Sequence, residues 1–228
     1  MRKFALLLTA LASLPALAQT PQQKVAAFRQ LLAENQAKRR MYTWLETTHI
    51  AYQGTIKVTK VSDCQFNGPN PKPECTELSL QQAPLPGGFF RKKIAENKEE
   101  ELKAYMDSVR TLLAEYVPVM PGLVEQGYQQ GNVAVAPDPE AGLTRLIISN
   151  YKLPGDKITV TYSPSMKRLM HVKIATYLGK PSGVVTADVT FAALPNGVFY
   201  AYQKVLNATA KEVVVTVTAT NFAEVVQQ

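Results

Sequence analysis

Four residues, Ser149-Asn150-Tyr151-Lys152, match the spacing in which a serine nucleophile is followed three residues later by a lysine. That chemistry needs the serine at the start of a helix, so that the lysine lies one turn away. In this sequence the match falls at the end of an alternating, strand-like segment, and no Lys-Thr-Gly companion is present. We therefore interpret the match as chance.

The two histidines, His49 and His171, are the other side chains that could do acid–base or metal chemistry. Two imidazoles cannot complete a three-histidine zinc site, and neither HExxH nor GxSxG occurs. Glu46 lies three residues before His49, which places the two side chains on opposite faces of a strand. His171 and Asp188 fall on polar strand faces. The sequence thus predicts a non-enzymatic protein with no metal and no cofactor.

The first eighteen residues have the pattern of a cleavable export signal. Arg2 and Lys3 precede an apolar run, and Ala16-Leu17-Ala18 supplies a small-x-small cleavage site. The apolar run is shorter than the roughly 20 residues of a spanning helix, and no later stretch is long enough to cross a bilayer. We expect a signal peptide over 1–18, a periplasmic protein, and a single domain over 19–228.

The charge pattern argues against a nucleic-acid partner. Removal of Arg2 and Lys3 with the leader lowers the formal net charge from +7 to +5. The densest basic patch, Arg91-Lys92-Lys93, is followed closely by Glu96 and by the acidic run 99–101. Nucleic-acid binding favours a one-sided basic stripe, which this arrangement does not provide.

Cys64 and Cys75, the only cysteines, bracket a loop rich in proline, asparagine and glycine. In an oxidising compartment two such cysteines predict a disulfide. Closure of so short a loop contributes at most about 3 kcal/mol on the chain-entropy model. A metal site is the alternative, but the pair lacks CxxC spacing and has no histidine nearby.

Helical and strand periodicities divide the chain into a few elements. Thr20-Pro21 opens a helix with an apolar stripe from Val25 to Leu32, and a longer amphipathic helix extends from about Phe90 to Val117. Strand periodicity extends from Tyr42 to about Val61 and, with short turns, dominates after Val133. We expect an α+β fold with one curved antiparallel sheet, an open half-barrel of a hairpin and five or six further strands, and both helices on its concave face.

The strand that begins at Tyr42 carries the only tryptophan, Trp44, on one face with Ile50 and Tyr52. Glu46 interrupts this apolar face, and a dry core rarely accepts an unpaired carboxylate. Two interpretations fit: an edge of the core with Glu46 in solvent, or the lining of an amphipathic cavity. Candidate ligand-binding residues are Trp44 with Tyr105 and Met106 of the long helix, although ordinary core packing explains each of them as well.

The order of these elements resembles a known class of proteins. An N-terminal helix, a strand with Tyr42, Trp44 and Glu46, a helical lid and a meander with the hairpin turn Leu194-Pro195-Asn196-Gly197 are similar to the periplasmic lipoprotein-carrier class, the LolA/LolB-like open β-barrel capped by helices. The chain also resembles a group of exported bacterial proteins with no assigned activity. The cysteine loop and the long helix are additions to the carrier pattern.

The resemblance implies a function but no residue roles. Members of the carrier class hold acyl chains or hydrophobic segments between sheet and lid. The expectation is a non-enzymatic periplasmic binding or carrier protein for a lipid-like or amphipathic ligand. The alternative is a structural or interaction component of the cell envelope, in which a sheet edge or helix face binds a protein partner.

Overall fold

The computed structural model describes residues 21–70, 72–84, 89–117, 121–140 and 142–225. The side chains of residues 21–25, 27–29, 89–96 and 121–122 are not described, and the predicted export signal lies outside the described residues. The helices are α1 (Pro21–Arg39), α2 (Phe89–Ala114) and α3 (Pro121–Gln129), with a short 3-10 helix at Thr209–Lys211. The strands are β1 (Tyr42–Tyr52), β2 (Thr55–Gln65), β3 (Glu74–Gln82), β4 (Val133–Pro137), β5 (Thr144–Ser149), β6 (Lys157–Ser163), β7 (Arg168–Tyr177), β8 (Val184–Ala193), β9 (Phe199–Ala208) and β10 (Val213–Glu224). None of the described helices combines the length and apolar character that crossing a membrane requires.

The strands form one antiparallel sheet in the order β3-β2-β1-β10-β9-β8-β7-β6-β5-β4. The order follows the chain except where β1 pairs with β10, so the N-terminal hairpin is joined directly to the last strand. Strands β3 and β4 lie at the two edges, which leaves the sheet open. The predicted α+β class with one curved antiparallel sheet is confirmed.

The predicted hairpin after Tyr42 is present as β1 and β2. Gln53 and Gly54 form its turn with φ values of 49° and 74°, the left-handed pair that matches the twist of the flanking strands. Beyond it, the sequence-based prediction is incomplete. Residues 74–82 form β3, although strand periodicity was expected only to about Val61. The last part of the chain contributes seven strands (β4–β10) rather than five or six.

The absence of a buried face explains why β3 has no sequence signature. Every residue of Glu74–Gln82 is exposed, so the alternation that marks a half-buried strand is lacking. Its strand geometry comes from pairing with β2, in which Cys64 lies opposite Cys75. The predicted disulfide is confirmed, with the two Cα atoms 4.1 Å apart.

The helices pack on one side of the sheet, which we call the helix face. Ile148, Ile158 and Ile174 mark it, with exposed fractions of 1%, 0% and 2%. Each helix contributes apolar side chains to this core: Leu31 and Leu32 from α1, Leu112 and Leu113 from α2, Leu123 and Val124 from α3. The predicted stripe of α2 is confirmed over its described part, because Val109 is fully buried against Val185, Ala208 and Val213.

A buried polar network connects the end of α2 to the sheet. The hydroxyl of Tyr116 donates to Asp156 Oδ2 at 2.6 Å and lies 2.8 Å from the hydroxyl of Thr176. Asp156, 1% exposed, also accepts hydrogen bonds from the backbone N–H groups of residues 151–153 at 2.5–3.0 Å. Burial, followed by the hydrogen bond to Asp156, raises the pKa of Tyr116. The network fixes the helix end on the β5–β6 loop.

Candidate ligand-binding face

Directly opposed residues of neighbouring strands form rows across the helix face. One row is apolar from β2 to β5, and we call it the apolar row. Its members are Val58, Ile50, Val215, Leu206, Ala187, Ile174, Ile158 and Ile148. Its isoleucines on β5, β6 and β7 are fully buried, whereas its members on β1, β2, β9 and β10 are only partly buried. The helices therefore cover the two halves of this face unequally.

The row that neighbours the apolar row, two residues along each strand, is polar only in the less covered half of the helix face. On β5 to β8 it consists of Leu146, Val160, Val172 and Val189, and on β9, β10, β1 and β2 it continues as Lys204, Val217, Thr48 and Lys60. Val217 and Lys60 are partly buried. The apolar strip, which we define as Ile50, Val58, Leu206, Val215 and Val217, is thus bordered by two lysines.

Glu46, on β1, lies at one end of the apolar strip. Its Oε1 accepts from Lys204 Nζ at 2.7 Å and from the indole Nε1 of Trp44 at 3.3 Å. The Glu46 side chain is 18% exposed and that of Lys204 40%. The carboxylate is therefore neither unpaired in a dry core nor free in solvent, and it borders the apolar strip as a paired, partly buried group.

Arg39, at the end of α1, packs over the same region. Its guanidinium carbon lies 5.7 Å from the ring centre of Trp44 and 5.4 Å from that of Phe66, a cation–π arrangement. Its Nε is buried and makes no hydrogen bond among the described residues. Burial lowers the pKa of Arg39, and the nearby charge of Glu46 opposes this shift.

Trp44 lies in an aromatic cluster of its own. It is 2% exposed and stacks on Phe222 with ring centres 5.6 Å apart and planes 12° apart. Phe66, the residue after the end of β2, is 5.4 Å away. Cys64 and Ala219 complete the buried cluster.

The structure brings two of the three predicted lining residues together. Tyr105 and Met106 both pack beside Val109 of α2, near Tyr52. The Tyr105 hydroxyl is buried without a hydrogen-bond partner among the described residues, and burial raises its pKa. Trp44 is eight residues from Tyr52 along β1, a distance of about 26 Å. Trp44 thus lies at the opposite end of the strip, and ligand contact by the three residues stays a prediction.

Sequence reasoning missed Lys60, Lys204 and Val217. Alternation within each strand places them on a face, but only the β1–β10 pairing sets Val217 opposite Thr48 and next to Lys204. No local pattern specifies that pairing between distant parts of the chain. A search for lysines on otherwise apolar strand faces would have found Lys60 and Lys204.

The side chains that suggested chemistry in the sequence have structural partners. His49 Nδ1 lies 3.0 Å from the hydroxyl of Thr59, and His171 Nδ1 lies 3.4 Å from Asp188. Lys152 Nζ is bound to Glu115 at 2.6 Å. The serine–lysine match therefore lies at a strand end, as expected from the sequence, with its lysine engaged elsewhere.

A depression of about 370 Å³ lies on the other face of the sheet. Its lining includes Arg145, His171, Lys173 and Asp188. Arg145 is paired with Asp138 at 3.3 Å, and Asp188 faces His171. Most of its charges are thus compensated within the protein.

Among the described residues, one group of three side chains has the spacing of metal ligands: Glu46, Cys64 and Cys75, whose ligand atoms lie within 4.8 Å of one another. The two sulfurs form the disulfide. A metal ligand requires the thiolate form of cysteine, which a disulfide does not offer. These residues do not fit a metal ion while the bond is intact.

No protein-family model and no curated protein matches this chain. Among solved structures it is similar to a DUF1329 family protein from Desulfovibrio piger, with 7% identity over 90% of this chain and 94% of the other, at a TM-score of 0.41. A domain from Vibrio parahaemolyticus described as an outer membrane lipoprotein-sorting protein gives 7% identity, coverage of 87% and 92%, and a TM-score of 0.41. A LolA superfamily protein from Nitrosomonas europaea gives 8% identity over 88% of this chain and 94% of the other, at a TM-score of 0.36. The last two carry descriptions that match the class which the sequence resembles, and at these identities no residue role comes with them.

Proposed function

We propose that this chain is a non-enzymatic binding or carrier protein of the periplasm, whose ligand is lipid-like or amphipathic. One observation carries the proposal: the apolar row is fully buried on β5–β7 and only partly buried on β1, β2, β9 and β10. On β1, β9 and β10 the protein buries Ala208 and Val213 at one end of the face and Trp44 and Ala219 at the other, and the row between them stays only partly buried. The apolar strip is the surface on which an apolar ligand chain would lie.

The energetics favour an apolar occupant. Full burial of a valine, leucine or isoleucine side chain contributes about 1.5–3 kcal/mol relative to exposure. The five partly buried residues of the apolar strip realise only part of this contribution in the free protein. A hydrocarbon chain along the strip would remove the remaining apolar surface from water.

The polar border favours an amphipathic ligand over a purely apolar one. Glu46, Lys204 and the Arg39 guanidinium lie at one end of the strip. Binding sites for small molecules commonly combine an apolar lining with a few polar groups that orient the ligand. A ligand with one polar end matches this arrangement.

Val217 and Val214 provide a matched test of this proposal. Both are partly buried valines of β10, but Val217 belongs to the helix face and Val214 to the opposite face. Native mass spectrometry and titration with hexadecanoic acid and hexadecanol should show binding by the natural protein. Val217→Asp should weaken it by roughly tenfold or more, because a buried carboxylate is costly beside a hydrocarbon chain.

Val214→Asp should leave this binding within about twofold of the natural protein, since Val214 lies on the opposite face. Thermal unfolding of both variants separates loss of binding from loss of structure. Binding by neither compound, or equal loss in the two variants, would contradict the proposal.

The exposed edge strand favours a second candidate function, that of an interaction protein of the cell envelope. All of β3 is exposed, including Leu78 at 59% and Leu80 at 46%. An unpaired edge with apolar side chains can accept a strand from a partner. Replacement of Leu78 by lysine would weaken such an interaction while leaving binding of hexadecanoic acid unchanged, and Leu80 is kept because it lies opposite Lys60.

A further inference from the structure

We propose that the ligand is an anionic amphiphile, held with its negatively charged end between Lys60 and Lys204 and its apolar chain directed along the apolar strip towards α2. This inference rests on the proposed function and specifies the class of ligand. Two observations support it: which charged residues border the strip, and which ion pairs these residues form.

The helix face carries more positive than negative charge at this end. Arg39, Lys60 and Lys204 form what we call the cationic end, and the partly buried carboxylate among them is Glu46. Ser62 of β2 lies opposite Glu46 of β1, and Glu77 of β3 lies opposite Ser62. Glu77 is on the exposed edge strand. Counted over the described residues, one partly buried carboxylate therefore lies among three cations close to the strip.

The partners of these cations are unequal. Lys204 is bound to Glu46 at 2.7 Å. Among the described residues Lys60 forms no ion pair, although it is partly buried. Arg39 rests on aromatic rings with its Nε unbonded. The Lys60 Nζ is not among the buried unbonded atoms of the described residues, so the ammonium stays hydrated and is free to pair with an anionic group without displacing a carboxylate of the protein.

The row geometry places the two lysines on either side of one position. Lys60 on β2 and Lys204 on β9 are separated by Thr48 and Val217, that is by three strand spacings or about 14 Å between backbones. Two long flexible side chains can approach one headgroup from both sides across that distance. The Thr48 hydroxyl between them offers a further hydrogen-bond donor.

The apolar row fixes the direction of the ligand. Next to Thr48 and Val217, two residues along each strand towards α2, lie Ile50 and Val215. These two pack against the cluster of Val109, Val185, Ala208 and Val213, beside Tyr105 and Met106. An apolar chain that starts at the cationic end therefore extends towards the two residues on α2 that the sequence proposed as ligand contacts.

The test compares three compounds with one hydrocarbon chain and different ends: hexadecyl phosphate, hexadecanol and hexadecyltrimethylammonium. Each is titrated below its micelle concentration, with native mass spectrometry as the readout. We expect hexadecyl phosphate to bind most tightly and the cationic compound most weakly. The preference for phosphate over alcohol should be roughly three- to tenfold, as for partly exposed ion pairs, and should decrease with added salt.

Lys60→Met is the main variant, because within the described part of the chain Lys60 has no ion-pair partner that would be left behind. It should reduce the preference for hexadecyl phosphate while leaving hexadecanol affinity unchanged. Lys173→Met, which removes an exposed lysine from the other face, is the control for net charge and should keep the full preference. Lys204→Met combined with Glu46→Gln removes one charge of each sign, so the net charge of the cationic end is unchanged and the preference should fall less than in Lys60→Met.

The outcomes separate this inference from the proposed function. Three results would overturn the anionic ligand while the binding function stands. They are equal affinity for all three compounds, preference for the cationic compound, and an equal loss of the preference for hexadecyl phosphate in Lys173→Met and Lys60→Met. Binding of none of the three would overturn both.

Discussion

At the scale of single residues, Asp156 and Tyr116 show how a buried polar group is made compatible with the core. Asp156 accepts from one hydroxyl and three backbone N–H groups, so that its burial is compensated by hydrogen bonds. The hydrogen bond from Tyr116, next to the end of α2, holds that end of the helix against this carboxylate. The sequence-based stripe of α2 included Tyr116 as an apolar member, but the role of its hydroxyl depends on a loop about forty residues further along the chain.

Tyr116→Phe should lower the free energy of unfolding by about 1–3 kcal/mol, because a buried carboxylate loses its hydroxyl donor. Urea unfolding measures the change. Tyr128→Phe is the control, since Tyr128 is 36% exposed on α3 and should change the stability by less than about 0.5 kcal/mol. Equal effects of the two changes would contradict this role for Tyr116.

The same substitution should alter the dependence of stability on alkaline pH. The folded state raises the pKa of Tyr116 above its unfolded value of about 10. The folded state therefore holds the proton more tightly, and its stabilisation is full below about pH 10 and is lost as the pH rises further. Tyr116→Phe should flatten this decline. The pKa of Tyr42 and of Tyr105 is also raised, so part of the decline should remain.

Trp44 gives a second prediction for a single residue. Since it is 2% exposed in an aromatic cluster, Trp44→Ala should cost about 3–5 kcal/mol of stability, and the native emission should be blue-shifted. Tyr202→Ala, at 42% exposure, serves as the control. A loss below about 1 kcal/mol for Trp44→Ala would show that the indole is not part of the core.

At the scale of elements, the sequence predicts best where one face of an element is buried. Helix α2 and strands β5–β10 follow the apolar periodicity that packing on the helix face requires. Strand β3 has no buried face and is formed by pairing with β2 and by the Cys64–Cys75 bond. Lys60 and Thr48 lie opposite each other within one hairpin. Lys204 joins their row only through the β1–β10 and β10–β9 pairings, which no local pattern specifies.

Strand β3 should therefore depend on its disulfide. Reduction, or the pair Cys64→Ala and Cys75→Ala, should remove hydrogen-exchange protection from Glu74–Gln82 while β1 and β10 stay protected. The loss of global stability should stay below about 3 kcal/mol, because the loop is short and its prolines already restrict the unfolded chain. Two free thiols in denatured, unreduced protein would refute the bond, and unchanged protection of β3 after reduction would refute the dependence.

At the scale of the whole molecule, the sheet has two halves in which the apolar row is buried to different extents. The half from β4 to β8 carries a filled core beneath α1, α3 and the end of α2. The half from β9 through β10 and β1 to β2 and β3 carries the apolar strip and the cationic end. Helix α2 also packs on this second half, where Ala208 and Val213 are buried against Val109, and we propose that the partly buried strip between these residues and Trp44 holds the ligand.

Methyl NMR with a spin-labelled fatty acid tests this division most directly. Ile50 lies on the apolar strip, Ile56 is 55% exposed on the opposite face of the hairpin, and Ile148, Ile158 and Ile174 lie in the filled half. We expect a nitroxide-labelled octadecanoic acid to broaden the methyl signal of Ile50 more strongly than those of Ile56, Ile148, Ile158 and Ile174. Broadening of Ile56 as strong as that of Ile50, or of no isoleucine at saturating ligand, would contradict the claim that the less covered half of the helix face binds the ligand.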